Sequence, residues 1–291
     1  TEKRKGKKNM DLLGFDLNLA DMDERFPILV QYGIYNRDLM PYKSDDFNQL
    51  IFVMGGTAEY CSDSETHDVK PGTVCIIGKS TLYHFRNCKQ LNLCKIIYKH
   101  GMLSMAPPDI RQTEGVTILK NIKKDSMVKL QLSFQTFKCA KHLINEMTDA
   151  YEQSDVGRNT LVNSLFWSLV VLLMRVYQSG NDISREELEL TEIIGYIQEH
   201  YQETISIKEL AEQMNMSPRN FSRIFHKTCG LSPVNYIIKL RIDHACELLQ
   251  NSSLTVSQVA YACGFQDSNY FTRQFKGISG FSPRDYRRSF R

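Results

Sequence analysis

Two short segments near the C-terminal end repeat one arrangement of aromatic and basic side chains. Residues 221–225 (FSRIF) and 271–275 (FTRQF) are fifty positions apart in a chain of 291 residues. On a helix, the two phenylalanines of each segment fall at i and i+4 on one face, and the arginine between them points away from that face. Each segment therefore predicts an amphipathic helix with an apolar inner face and a basic outer face.

The outer faces of these two predicted helices carry groups that can read nucleic acid. Polar residues recur there at i, i+3, i+4 and i+7. They are Arg219, Ser222, Arg223 and His226 in the first helix, and Asn269, Thr272, Arg273 and Lys276, with Ser268 beside them, in the second. Arginine can grip guanine and asparagine can grip adenine through paired hydrogen bonds, and the other groups can reach phosphates. The alternative is that these polar residues are only the solvent-exposed faces of ordinary core helices. The same spacing in two copies makes this alternative less favourable.

Positive charge is concentrated at the same end of the chain. Residues 215–291 contain 11 Lys and Arg against four acidic residues, a net charge of +7, and the first ten residues carry +4. Because the whole chain has a net charge of +3, the 204 residues between them carry −8. This distribution suits a polyanion-binding module, although a solvated basic surface would give the same count.

Serine-proline pairs mark where the helices of this region begin. They occur at residues 217–218, 232–233 and 282–283. A serine hydroxyl at the N-cap accepts a hydrogen bond from a free backbone N–H, and proline at the first helical position has no N–H to lose. We therefore expect three helices to start at these pairs.

The helices around each repeat form a helix-turn-helix pattern. In the first copy (about 207–228), a short helix over 207–214 turns at Asn215 into a helix over 218–228. In the second copy (about 256–276), a helix over 256–263 turns at Gly264 into a helix capped by Asp267 or Ser268. A single helix over 233–250, about 27 Å long, joins the copies. Since adjacent major grooves are roughly 34 Å apart, one chain has the geometry to reach two of them.

Residues 188–288 resemble the DNA-binding domain of the AraC/XylS family of bacterial transcription regulators. The resemblance rests on Leu210-Ala211, Ser217, Phe221-x-Arg223-x-Phe225, Gly230-x-Ser232-Pro233, Arg241, Ala245, Leu248-Leu249, Val259-Ala260, Gly264-Phe265, Tyr270-Phe271-x-Arg273-x-Phe275, Gly280-x-Ser282-Pro283 and Tyr286-Arg287. It implies a sequence-specific regulator of promoter DNA, usually an activator, with RNA polymerase as a partner. It also implies that Arg219, Ser222, Arg223, Ser268, Asn269, Thr272 and Arg273 contact DNA.

The N-terminal part of the chain has the pattern of an antiparallel β domain. Segments 49–54 and 57–62 flank Gly55-Gly56 and predict a hairpin, and further strands are predicted over 73–77 and 91–98. Turn residues separate them at Pro71-Gly72 and near Gly78. Short strands at this spacing favour a small barrel or sandwich, and the region resembles the cupin-like sensor barrel common in the same family.

A small-molecule site is expected inside this barrel, without a metal or other cofactor. His84 follows Gly72 by twelve residues, but no second histidine stands in 42–49, where metal-dependent cupins place theirs. The candidate ligand-binding residues are Tyr42, Tyr60, Tyr83, His84 and Arg86. Such groups suit a small polar effector, for example a sugar. The alternatives are a cupin-type metal enzyme with an appended helical domain, and a DNA-binding regulator whose barrel binds no small molecule.

Helical spacing is expected from about residue 125. Residues 161–177 are apolar around much of the helix, which favours either a core helix or a subunit interface. The family resemblance favours a homodimer. The predicted organisation is a basic disordered arm or remnant of cloning (1–14), a cupin-like sensor domain (15–124), a helical dimerisation segment (125–180), a linker (181–187) and an all-α double helix-turn-helix domain (188–291).

Composition places the chain among ordinary soluble proteins. It is 42% hydrophobic and 24% charged, and the longest apolar run, Leu169 to Met174, is far shorter than the roughly 20 residues of a membrane span. No apolar segment follows the basic start as in a secretory signal. The eight cysteines are scattered and lack metal-ligand spacing, so they are predicted to be buried, reduced hydrophobes, with a redox sensor as the alternative. These features predict a cytoplasmic protein, and the family resemblance together with the missing metal ligands predicts that it is not an enzyme.

Overall fold

The computed structural model describes residues 28–120, 122, 126–152, 156–180 and 184–290. The predicted basic arm and residues 181–183 of the predicted linker lie outside this part of the chain. The chain divides between Thr191 and Glu192 into an N-terminal domain and a C-terminal domain.

The N-terminal domain is built on one antiparallel sheet. Its strands are β1 (Ile28–Tyr35), β2 (Phe47–Ser62), β3 (Thr66–Val69), β4 (Thr73–Ile77), β5 (Tyr83–Lys99) and β6 (Met127–Gln131). They pair in the order β1-β5-β2-β4-β6, and β3 pairs with the far end of β2. The predicted antiparallel β domain is therefore confirmed, and the pairings among the described strands form an open path rather than a closed ring.

Gly55 and Gly56 do not form the predicted hairpin turn. They lie within the sixteen-residue strand β2, where the pairing with β5 shifts register between Val53 and Glu59. Gly56 has a φ of +67°, and a Cβ there would stand 2.2 Å from the carbonyl oxygen of Gln90. The glycines thus allow a bulge and a close backbone approach, which are the other uses of glycine in a strand.

Three short elements also differ from the prediction. A 3₁₀ helix (His100–Met105) and α1 (Glu114–Lys120) occupy a region predicted as strands, and β6 occupies a region predicted as helical. In β6, the side chain of Gln131 accepts a hydrogen bond from Thr73 Oγ1 at 2.9 Å and donates one to the oxygen of Pro71 at 3.0 Å. Pairing with a distant strand therefore decides its conformation, and five residues are too few to show a period.

Two long helices, α2 (Phe134–Glu152) and α3 (Arg158–Gln178), follow as predicted and cover one face of the sheet. Phe166 and Leu169 of α3 are fully buried in that core, whereas Leu161 is 51% exposed. By length and composition, α3 is the one helix in the described ranges that could cross a membrane, a test that the core helices of soluble proteins also pass. Its buried face shows the core packing that the sequence left as one of two interpretations.

The cysteines follow the prediction in part. The buried ones are Cys61, Cys75, Cys88, Cys94 and Cys263. Cys229 and Cys246 are half-buried, and Cys139 on α2 is exposed, so the prediction of a buried residue is wrong for Cys139. Burial raises the pKa of the Cys75 thiol to about 12, which keeps this side chain an unreactive thiol.

All the secondary-structure elements in the described part of the C-terminal domain are helices. After α4 (Arg185–His200), which crosses the domain boundary, come α5 (Ile207–Gln213), α6 (Pro218–Cys229), α7 (Pro233–Asn251), α8 (Val256–Ala262), α9 (Ser268–Ser279) and α10 (Pro283–Phe290). The hydroxyls of Ser217, Ser232 and Ser282 each accept a hydrogen bond from the N–H three residues later, which confirms the three predicted helix starts. Helix α9 extends three residues beyond the predicted end at Lys276.

Candidate nucleic-acid interface

The repeated phenylalanines form the apolar centre of each helix-turn-helix. The first helix-turn-helix comprises α5 and α6, and the second comprises α8 and α9. Phe221 and Phe225 are fully buried, as are Phe271 and Phe275. The two ring centroids are 5.7 Å apart in the first copy and 5.6 Å in the second, and both ring pairs are inclined at 58°. The predicted inner faces are therefore confirmed, and the two phenylalanine pairs have nearly the same ring distance and angle.

The repeat extends further than the two short segments. Tyr236 and Tyr286 stand three residues after the proline of the next helix, and each packs edge-to-face on the second phenylalanine of its copy, at 5.5 and 5.4 Å. Their hydroxyls accept hydrogen bonds from Gln198 and Gln250, at 2.7 and 3.1 Å. Helix α7 therefore packs on the first copy through Tyr236 near its start and binds the second copy through Gln250 near its end. The sequence analysis missed this, although the spacing Pro-x-x-Tyr in both copies was a signal.

The turns of both copies leave the first helix in the same way. Asn215 (φ +53°) and Gly264 (φ +88°) are left-handed and stand four residues after the buried Ala211 and Ala260. The next N–H donates to the oxygen of that alanine, at 2.9 Å in the first copy and 3.0 Å in the second. This closure satisfies carbonyls at the helix end. From that alanine to the first phenylalanine there are ten positions in the first copy and eleven in the second. The extra residue of the second turn therefore comes after the left-handed residue.

All nine predicted DNA-facing residues lie on the solvent side of α6 and α9. The exposed ones are Arg219, Arg223, His226, Asn269, Arg273 and Lys276, and the half-buried ones are Ser222, Ser268 and Thr272. We call the four residues on α6 (Arg219, Ser222, Arg223 and His226) the α6 stripe, and the five on α9 (Ser268, Asn269, Thr272, Arg273 and Lys276) the α9 stripe. The structure thus brings together within each helix the residues that the spacing grouped, opposite the buried phenylalanines.

The basic groups of the stripes are largely unneutralised. Within residues 184–290, the side chains of Arg219, Arg273 and Lys276 make no hydrogen bond or ion pair. Arg223 Nη2 donates to Asn220 Oδ1 at 2.9 Å, which holds its guanidinium against its own helix without cancelling its charge. Exposed cationic groups without carboxylate partners are what a phosphate or base edge requires.

The two stripes differ in how their hydroxyl groups are used. Thr272 Oγ1 donates to the carbonyl oxygen of Ser268 at 2.9 Å, and Ser268 Oγ lies 3.3 Å from Ser257 Oγ on α8. Asp267 caps α9 by accepting from the N–H of Tyr270, so a carboxylate stands at the start of this helix, whereas Ser217 caps α6. The scaffold is duplicated, but the chemistry of the two outer faces is different.

In the N-terminal domain, three of the five predicted ligand-binding residues come together. Tyr60 and Tyr83 are buried with stacked rings 5.7 Å apart, and Tyr42 meets Tyr83 edge-on at 6.0 Å. His84 and Arg86 do not join them, because side chains alternate along β5 and these two point to the opposite side. Arg86 instead lies 3.7 Å from the carboxylate of Glu59 on the neighbouring strand.

Two buried polar residues beside these tyrosines escaped the sequence analysis. Lys95 is 1% exposed, and its Nζ lies 4.7 Å from the ring centroid of Tyr42 and 5.9 Å from that of Tyr83. Gln49 Oε1 accepts a hydrogen bond from the Tyr83 hydroxyl at 2.6 Å. Burial, followed by the neighbouring Tyr42, raises the pKa of Tyr83 well above its ordinary value, so this hydroxyl stays a donor. A lysine within the apolar strand 91–98 was the available signal.

Among the described residues, no three His, Cys, Asp or Glu side chains are grouped so that they could hold a metal ion. His84 stands apart from the tyrosine cluster, and His67 pairs with Glu65 at 3.0 Å.

Comparison with known proteins relates this architecture to a family. Residues 210–289 match the family profile described as "Helix-turn-helix domain". The chain is 24% identical to the HTH-type transcriptional activator RhaS of Escherichia coli over 249 residues, which cover 85% of this chain and 87% of RhaS. The DNA-binding domain of AdpA, solved with a target DNA, is 33% identical over 35% of this chain and 93% of that domain (TM-score 0.34). An apo form of ToxT from Vibrio cholerae is 14% identical over 91% and 98% (TM-score 0.39).

The family profile covers both helix-turn-helix copies, and the similarity to RhaS extends into the sheet domain. The paired helix-turn-helix motifs, joined by one shared helix and preceded by an antiparallel β domain, agree with these matches. Residues 210–289 thus form an AraC-type helix-turn-helix, DNA-binding domain, and the chain over most of its length is similar to transcriptional activators such as RhaS.

Proposed function

We propose that this regulator binds promoter DNA by placing α6 and α9 in the major groove, with the α6 and α9 stripes as the contact surfaces. The observation that carries the proposal is the duplication of one geometry. In both α6 and α9, buried phenylalanines pack the inner face of the helix into the core. Polar residues recur at the same spacing on the outer face. A recognition helix needs this division, because its inner face must pack while its outer face reads base edges.

The length of α7 supports simultaneous docking of both copies. Its nineteen residues, Pro233–Asn251, correspond to about 28 Å of helix. Successive major grooves on one side of DNA are roughly 34 Å apart, so two adjacent grooves are within reach of one chain. Because the two stripes carry different side chains, the two half-sites should have different sequences.

The arginines are the proposed base-reading residues. Arg223 and Arg273 occupy the same position between the two phenylalanines of their helices and are both exposed. An arginine can bind O6 and N7 of a guanine together, and asparagine offers the matching pair for adenine, a role proposed for Asn269. His226 and Lys276, one turn further along their helices, are placed to meet the backbone phosphates.

Binding to a DNA site selected with the wild-type protein tests this assignment at fixed salt. Arg223→Ala and Arg273→Ala should each weaken specific binding by about 1–3 kcal/mol. Arg288→Ala is the matched control, because Arg288 is exposed and pairs with Asp285 at 3.3 Å on α10, outside both stripes. Unchanged affinity of the double variant Arg223→Ala/Arg273→Ala would refute the assignment.

The regulatory role follows from the relatives and from the N-terminal domain. RhaS is named a transcriptional activator, and we propose activation in the cytoplasm, through RNA polymerase, for this chain too.

We also propose a small-molecule effector, such as a sugar, held beside Tyr42, Tyr83 and Lys95, where polar groups enter an otherwise apolar interior. Exposed Leu161 and Tyr177 on the largely apolar α3 support a homodimer through this helix.

A further inference from the structure

The second helix-turn-helix touches the loop that leads into the first, which we count with the first copy, at a cluster of side chains and backbone that lies outside both stripes. The cluster joins the loop between α4 and α5 to the turn between α8 and α9, across α7. We call it the junction, and it comprises Gln202, Arg241, His244, Cys263, Gly264 and Phe265.

The closest approach in the junction is between two backbones. A Cβ on Gly264 would stand 2.3 Å from the carbonyl oxygen of Gln202 and 2.7 Å from its Cα. No side chain fits between them, since ordinary contacts of a Cβ begin at about 3.4 Å. The turn of the second copy is therefore seated directly on the loop of the first.

Arg241 of α7 binds that loop and the neighbouring turn at once. Its Nε donates to the oxygen of Tyr201 at 2.6 Å and its Nη2 to the oxygen of Glu203 at 2.8 Å, on either side of Gln202. The same guanidinium lies 5.6 Å from the ring centroid of Phe265, the residue after Gly264. One side chain thus holds the loop of the first copy against the turn of the second.

His244, one turn further along α7, adds a polar link between the same two segments. Gln202 Nε2 donates to its Nδ1 at 3.3 Å, and Cys263 Sγ lies 3.7 Å from this nitrogen. The ring also meets Tyr201 edge-on at 5.9 Å. Three neighbouring residues of the first loop therefore contact either α7 or the second turn.

A comparison within the domain shows what is special about Arg241. Arg287 of α10 makes the same kind of backbone clamp in the second copy, donating to the oxygens of Leu249 at 3.3 Å and Leu254 at 2.5 Å. Both of these hydrogen bonds go to α7 and the loop that follows it. Arg241 makes the equivalent clamp in the first copy and in addition contacts Phe265 of the second.

Next to the junction lies an open groove of about 360 Å³. It is lined by Thr204, Ile205 and Ile207 on the side of the first copy and by Gln266, Asp267 and Tyr270 on the side of the second, above Ile237 and Ile238 of α7. On this side, helix α7 and the junction are what connects the two recognition helices. A change at the junction should therefore alter their relative placement without touching the DNA-facing residues.

We propose that the junction sets the separation and rotation between α6 and α9, and thereby the number of base pairs between the two half-sites read by one chain, with Arg241 as its positioning residue. This inference rests on the proposed docking of both recognition helices. One inserted base pair moves a half-site by 3.4 Å and rotates it by roughly 35°. A rigid protein tolerates that poorly, and a loosely joined pair of helices tolerates it well.

The experiment measures affinity of the full chain for a selected site and for versions with one or two base pairs added or removed between the half-sites. The wild type should lose at least tenfold for one base pair. Arg241→Gln, which cannot bind both carbonyls, should bind the best spacing several-fold less tightly and lose threefold or less for one base pair. His244→Ala should flatten the spacing profile in the same direction, and it serves as the second variant if Arg241→Gln unfolds in a circular dichroism melt.

Arg287→Gln is the matched control, because it removes a clamp of the same chemistry within one copy. It should weaken binding at every spacing by one common factor. A profile for Arg241→Gln and His244→Ala as steep as that of the wild type would overturn the role of the junction. Wild-type affinity that does not change when either half-site is deleted would instead refute the docking of both helices, and the inference with it.

Discussion

Replacing Gly264 by alanine perturbs the second turn in two ways that the structure separates. The residue has a φ of +88°, where an alanine costs about 1 kcal/mol more than a glycine. The new Cβ would also stand 2.3 Å from the carbonyl oxygen of Gln202, so this loop would have to move by about 1 Å to reach an ordinary contact. Forcing atoms into packed structure costs about 1–3 kcal/mol.

Together these terms predict that Gly264→Ala lowers the free energy of unfolding of the C-terminal domain by about 3 kcal/mol. Asn215→Ala is the matched control, because Asn215 holds the equivalent left-handed position at φ +53° and already carries a Cβ. It should cost about 1 kcal/mol, since only the conformational preference changes. For a domain of this size, 1 kcal/mol corresponds to about 4–8 °C in melting temperature.

The assay is thermal unfolding of the full chain followed by two signals. Far-ultraviolet circular dichroism reports the helices, and the fluorescence of Trp167, the single tryptophan, reports the N-terminal domain in which it is buried. Gly264→Ala should lower the melting temperature of the C-terminal domain by about 12–24 °C and leave the Trp167 transition unchanged. If both variants melt within a few degrees of each other, the close approach to Gln202 does not carry the energy assigned to it.

Three further results are expected. Lys276→Ala should reduce the slope of log affinity against log salt by about one, because a phosphate contact is lost, and an unchanged slope in a salt titration would exclude that contact. A sugar effector at 100 times its dissociation constant should stabilise the N-terminal domain by about 2.7 kcal/mol in a thermal-shift screen read through Trp167, whereas no shift across a broad panel would favour a domain without a small ligand. Leu161→Glu should convert a dimer to a monomer in sedimentation velocity, and an unchanged dimer would exclude α3 as the interface.

Local signals explain why the C-terminal domain could be predicted in detail. The N-cap hydrogen bonds of Ser217 and Ser232 form within four residues of chain, and the left-handed turns at Asn215 and Gly264 are equally local. The stripes follow from helical period alone once the buried phenylalanines are known. The assignment of these stripes to DNA remains a prediction.

The features that escaped prediction depend on residues far apart in the chain. From its neighbours in the sequence, Gly56 is predicted to form a turn. Its actual position depends on strand pairing, which brings the backbone of Gln90 close to it. Strand β6 forms because it pairs with β4, from Ile77 with Met127 to Thr73 with Gln131, which are 50 to 58 residues apart in the chain. Lys95 is buried through the folding of β5 against Tyr42, and the junction forms when α7 brings Gly264 to Gln202. Hydrophobic periodicity and helix-capping residues are local signals, so they do not predict such contacts.

In vitro selection of DNA sequences with the full chain tests most directly whether two different recognition helices of one chain read DNA. We predict that each protein-binding site contains two dissimilar conserved blocks about one helical turn apart, with Arg223→Ala relaxing one block and Arg273→Ala the other. A single conserved block, or the loss of the same block in both variants, would contradict the account.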